Sequence, residues 1–202
     1  MTVGAASVYE AWVMALRAWA RDPRHSLEGL PPLAVDSFPP DTYQRLLAHF
    51  HNAQAAVMER ADEQCTRDVS RATSEHEMAQ ALLELRRAYA RRLQLVRHPA
   101  LPVELRSPME HGVAEDIRRS QESLEREAAS ATVDVATRER QLRLVRSVRL
   151  TVLLDAEYPL EQLLDPAGSG GASVVEPDRI RSGTPEYPPA TGSARRRRVV
   201  LE

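Results

Sequence analysis

The chain has 202 residues, a formal net charge of −2, and a composition that is 43% hydrophobic, 28% charged and only 4% aromatic. That length holds one ordinary domain and a tail, and the near-neutral charge excludes a whole-molecule field that would steer polyanions. Few aromatics favour helical, alanine-lined packing over a thick aromatic core, and a single cysteine, Cys65, excludes an intramolecular disulfide framework and fits a reducing compartment.

The first predicted element is a helix from Ser7 to Arg21. Ser7 and Glu10 have the spacing of a capping box, and Val8, Trp12, Leu16 and Trp19 recur on one face. No basic start or long apolar run precedes them, so neither a signal peptide nor a membrane span is expected, and a cytoplasmic protein is. Asp22-Pro23 ends the helix, because the residue before proline is pushed out of helical geometry. From Asp22 to Pro40 a proline-rich connector follows. It carries enough Leu, Val and Phe to lie against the surface as an ordered loop.

From Pro40-Asp41 to about Arg97 a helical pattern runs without Gly or Pro. Its seam passes through Tyr43, Leu46, Phe50, Ala53, Val57, Ala61, Cys65, Val69, Ala72, Ala79, Leu82, Leu85, Tyr89, Leu93 and Val96 in steps that average close to a heptad repeat, as a coiled coil requires. At ~1.5 Å per residue such a helix would be about 85 Å long. His98-Pro99 stops it. Ser107-Pro108-Met109-Glu110 then reads as N-cap, N1 proline and N3 glutamate of a second long helix, ending at Tyr158-Pro159.

Two segments of similar length joined by a short turn predict an all-α fold, a long antiparallel helical hairpin of coiled-coil type. A turn near 98–106 would set Glu59, Asp62 and Glu63 opposite Arg140, Arg143 and Arg146, a row of charges that helps to fix register. Leucines and valines from Leu142 to Leu154 exceed one face. Most of the aromatic residues (Tyr9, Trp12, Trp19, Phe38, Tyr43, Phe50 and Tyr158) lie in segments that would gather at the same end. The expectation is a packed three-helix base, covered by the N-terminal helix, carrying a thinner two-helix arm. Residues 165–202 are rich in Gly, Ser, Pro and Thr, which predicts a disordered tail. The organisation expected is thus residues 1–40 as helix and connector, 41–164 as hairpin and 165–202 as tail.

Chemistry-bearing patterns are sparse. No Glu-x-x-His pair exists for a di-iron site. His49 and His51 point to different sides of a helix, Glu75-His76-Glu77 splay around it, and one cysteine cannot build a zinc site. Cys65 lies on the seam with no activating base, and the glycines form no phosphate loop. No catalytic residue, metal or cofactor is therefore expected.

Arginine is the residue that stands out. All 27 basic residues are Arg and none is Lys, which a GC-rich coding sequence explains most simply. Arg86, Arg87, Arg91, Arg92 and Arg97 crowd the end of the first long segment, with Arg106, Arg118 and Arg119 across the turn. Only Glu84, Glu104, Glu110, Glu115 and Asp116 oppose them. The last residues are Arg195, Arg196, Arg197, Arg198, Val199, Val200, Leu201 and Glu202, a basic run beside a short apolar end. Arg86, Arg87, Arg91, Arg92 and Arg97, with Arg195, Arg196, Arg197, Arg198, Val199, Val200 and Leu201, are the expected partner-binding positions. The protein is expected to be a non-catalytic structural or adaptor component of an assembly, contacting an acidic protein partner. Nucleic acid bound through the same arginines is the alternative. A homodimer is expected on the ground that a two-helix arm buries only one stripe of each helix.

Overall fold

The computed structural model describes residues 4–34, 36, 38–131, 133–158 and 160–164. All of them belong to one compact unit spanning Met1–Gly170. Among the described residues there is no strand. The helices are α1 (Ala5–Arg21), α2 (Pro40–Arg71), α3 (Glu75–Val96), α4 (Val103–Ser130), α5 (Val135–Val148), a 3-10 turn (Leu150–Leu154) and α6 (Leu160–Leu164).

The fold is all-α, as expected, but neither long segment is one helix. The first breaks at Ala72-Thr73-Ser74. Ser74 caps α3 by accepting from the Glu77 amide at 3.2 Å, while the Glu77 carboxylate accepts from the amides of Thr73 at 2.6 Å and Ser74 at 3.2 Å. This reciprocal box satisfies amides that a new helix start leaves without partners. The second segment breaks before Asp134, whose carboxylate accepts from the Thr137 amide at 3.0 Å. Each segment therefore folds back within itself.

The expected pairing of Glu59, Asp62 and Glu63 with Arg140, Arg143 and Arg146 gives way to a different one. α2 packs antiparallel on α3, with the buried Gln54 accepting from Arg92 Nε at 2.8 Å. α4 packs on α5, where Glu125 faces Arg146 at 3.7 Å and Gln121 Oε1 accepts from the Leu150 amide at 2.8 Å.

α3 is the hub, touching α2, α4, α5, the 3-10 turn and α6. Its sequence explains this role. Ala81, Leu82, Leu85, Ala88, Tyr89, Ala90, Leu93, Leu95 and Val96 are all buried, and they wrap well beyond one stripe. The leucine and valine excess near Leu150 and Leu153 is met by α3, not by the N-terminal helix.

α1 packs on α2, and Trp12, Trp19, Phe38 and Phe50 gather with Leu46, Leu95 and Leu101 in a second cluster, flanked by Tyr9 and Tyr43. The aromatic gathering is thus as expected except for Tyr158, which lies in the other cluster. Because α3 returns beside α1, the turn after it also reaches this aromatic end, so the turn is no distal arm tip. The connector lies on the surface as predicted. Pro31 accepts from Trp12 Nε1 at 2.9 Å, and the Leu33 amide donates to Ala100 at 2.8 Å.

Two helix starts differ from expectation. α1 begins at Ala5 with Gly4 as N-cap, and Ser7 Oγ donates to the Gly4 carbonyl at 2.8 Å, so Ser7 and Glu10 form no capping box. α4 begins at Val103, leaving Pro108 inside the helix. Leu105 and Arg106 already donate to the Pro102 carbonyl at 3.0 Å each, and Leu105, Val113 and Ile117 are buried on one face. Burial of that face outweighs the single bond that Pro108 cannot make.

Candidate functional site

Of the arginines singled out on α3, four are tied to the protein's own acceptors. Arg86 Nη1 donates to the Val148 carbonyl at 3.0 Å, Arg92 pairs with Asp116 at 2.6 Å besides Gln54, Arg97 pairs with Glu110 at 2.6 Å, and Arg87 pairs with Glu84. Arg118 and Arg119 likewise pair with Glu115 and Asp116 on α4. The expected positive tip is therefore largely neutralised by near neighbours. Arg195 to Arg198 and Val199, Val200 and Leu201 lie outside the described residues.

Arg91 is different. It sits one turn beyond Arg87, on the same face of α3, in a cleft of about 690 Å³ between α3 and the α1–α2 connector. The connector contributes Arg24, which sequence reasoning had not singled out, along with Leu27 and Glu28. Burial depresses the proton affinity of the Arg91 guanidinium. The like charge of Arg24 lowers it further, Glu84 and Asp22 partly offset this, and Arg87 lowers it again. Arg87 Nε is buried without a hydrogen-bond partner, although its Nη1 pairs with Glu84. The cleft thus brings Arg24, Arg87 and Arg91 together over apolar walls from Trp19, Pro23, Leu27 and Leu164. No sequence spacing could have joined Arg24 to Arg91, because only the return of α3 beside α1 makes them neighbours.

A second cleft, of about 480 Å³, opens between α2 and α4 with Leu85 and Tyr89 of α3 beneath it. Asp62, Cys65, Arg92, Asp116 and Glu127 line it. Burial pushes the Cys65 thiol up to about 11, helped by the carboxylates of Asp62, Asp68 and Glu127, so at neutral pH it is a protonated filler and not a nucleophile. Burial also raises Asp62, with Arg92 opposing. His98, near the first cleft, is pushed below the ordinary imidazole range by burial, while a bond to the Leu27 backbone partly offsets this. Among the described residues, no group of three or more His, Cys, Asp or Glu is placed to hold a metal ion. No described helix is long and apolar enough to cross a membrane.

No family model, curated protein or solved structure matches the chain.

Proposed function

We propose that the chain is a non-catalytic adaptor of a larger assembly, and that its folded unit contacts an acidic protein partner through the arginine face between α3 and the α1–α2 connector. The observation that carries this reading is the convergence of Arg24 and Arg91 from separate elements into one cleft, where their like charges oppose each other. Glu84 and Asp22 offset this opposition only in part, and a carboxylate from an acidic partner would offset it further. The titratable groups of the other cleft support a non-catalytic role, since Cys65 is held protonated and Arg92 and Arg119 both engage Asp116.

We rank nucleic acid second. Arg86, Arg92 and Arg97 already serve internal acceptors, and a phosphate backbone would have to compete with them. The reading includes a cytoplasmic setting, and a hairpin-like pairing of α2 with α3 and of α4 with α5 as the scaffold. The stripe that called for a second copy is covered within one chain, because α2, α4 and α5 all lie on α3.

The test is cross-linking capture with the natural chain beside an Arg24→Gln/Arg91→Gln variant, each verified as folded by circular dichroism. A stoichiometric partner held by the natural chain and lost by the variant supports the reading. Equal capture by both, or salt-sensitive recovery of nucleic acid alone, removes it.

A further inference from the structure

The chemistry of the arginine cleft narrows its occupant further, on the premise that the chain is an adaptor. Counting histidines as neutral, the charged groups in and around it are Arg24, Arg87 and Arg91 against Asp22, Glu28 and Glu84. Glu84 is committed to Arg87, and Asp22 Oδ1 accepts from the Arg24 backbone amide at 2.9 Å. The guanidiniums of Arg24 and Arg91 have no ion pair within 4.0 Å among the described residues.

The three cations and three anions balance overall, so an added anion answers the two unpaired guanidiniums locally and not a net positive charge. A single carboxylate leaves less surplus negative charge there than a doubly charged phosphate. Guanidinium forks also match the two oxygens of a carboxylate in planar geometry. The walls supply the rest of the specification. Pro23, Leu27 and Leu164 leave apolar surface that a bare ion could not cover, and the volume of about 690 Å³ exceeds what an ion needs. Clefts of ~300–1,000 Å³ lined by apolar groups with a few charged anchors are typical of sites for a compact ligand or a short peptide segment.

We infer that this cleft receives the carboxylate of a Glu or Asp side chain flanked by aliphatic residues, presented by a short segment of the partner protein and held between Arg24 and Arg91. The two arginines have separate parts. Arg91, half-buried on rigid α3, fixes where the carboxylate sits, while the exposed Arg24 on the connector closes over it. Leu27 and Pro23 then face the aliphatic neighbours.

The probe is an acetylated, amidated peptide Ala-Leu-Glu-Leu-Ala, used beside its Gln counterpart and beside inorganic phosphate. The readout is the arginine Nε–Hε resonances of the 15N-labelled natural chain. The Glu peptide is expected to shift the Arg24 and Arg91 signals saturably, and the Gln peptide to bind about tenfold more weakly or worse, as loss of a charge-assisted pair implies. Arg24→Gln, at an exposed position that the fold does not need, should weaken Glu-peptide binding by about the same factor while leaving the circular dichroism unchanged. Three results would overturn the inference: no shift with the Glu peptide, equal shifts with Glu and Gln, or shifts with phosphate alone. An adaptor that still loses its captured partner on arginine substitution, yet ignores the Glu peptide, would keep the broader reading and discard this one.

Discussion

His98 is gripped from three sides. The Trp12 ring meets it edge-on at 5.6 Å, the Leu27 backbone bonds to it, and its Nδ1 accepts from the Ala100 amide at 3.2 Å. Accepting that bond requires an unprotonated Nδ1, and burial holds the imidazole below its usual range. The unfolded chain, with an ordinary imidazole near about 6.5, therefore binds more protons than the folded one in the interval below that value. The contribution of His98 to stability is present above that unfolded value and is lost as pH falls through the depressed folded one. Urea midpoints measured from pH 7.5 to pH 5 should fall for the natural chain and fall less for His98→Gln.

Cys65 makes a complementary prediction. With its thiol pushed up to about 11 from an ordinary 9.0, the folded chain at pH 8 should react with iodoacetamide about a hundredfold more slowly than the urea-unfolded chain. Comparable rates would show that the thiol is not held protonated. Cys65 was legible in the sequence as a small seam residue. Arg24 was not, since an exposed arginine on a proline-rich connector carries no periodic signal, and only tertiary folding sets it against Arg91.

Among the elements, the informative events are the two interruptions. Ser74 and Glu77 stand three apart, and Asp134 and Thr137 repeat that spacing, so both helix starts carried readable caps. They were masked because the heptad phase continues across the breaks, from Val69 to Ala72 and on by one whole heptad to Ala79, and periodicity cannot see a gap whose length preserves phase. Conversely, Ser107-Pro108-Glu110 reads as a helix start and is not one, because burial of Leu105 extends α4 upstream. Removing a cap should cost in proportion to the amide it leaves bare. Ser74→Ala is expected to lower unfolding free energy by ~1 kcal/mol in urea titration without altering helix content. Fusion of α2 and α3 into one rod, detectable as a jump in radius of gyration by small-angle scattering, would show that the turn depends on this cap alone and not on the packing of α2 against α3.

For the molecule as a whole, α3 decides stability. Leu93 is fully buried and belongs to the cluster that joins α3 to α4, α5 and the 3-10 turn. Leu93→Ala should destabilise by ~2–5 kcal/mol, a large share of the ~5–15 kcal/mol that holds a typical domain. The exposed Met14→Ala should change the same urea curve little. That the fold is all-helical, has an aromatic end and has an adherent connector was readable from composition and spacing. Which helices touch was not, because members of the charge row that suggested one register find partners nearer in the chain, Arg146 with Glu125 and Glu63 with Arg67.

The order of packing along the chain has a kinetic consequence. The α2–α3 and α4–α5 contacts join neighbours separated by short breaks, whereas α1 meets α2 across the connector and α3 meets α5, the 3-10 turn and α6 only late in the chain. Loops that short close in well under a microsecond, and chains built from such local contacts fold in microseconds to milliseconds. The protein should thus assemble in the order in which it leaves the ribosome, each new helix finding its predecessor already in place. α3 would stay incompletely enclosed until α5 and the 3-10 turn arrive.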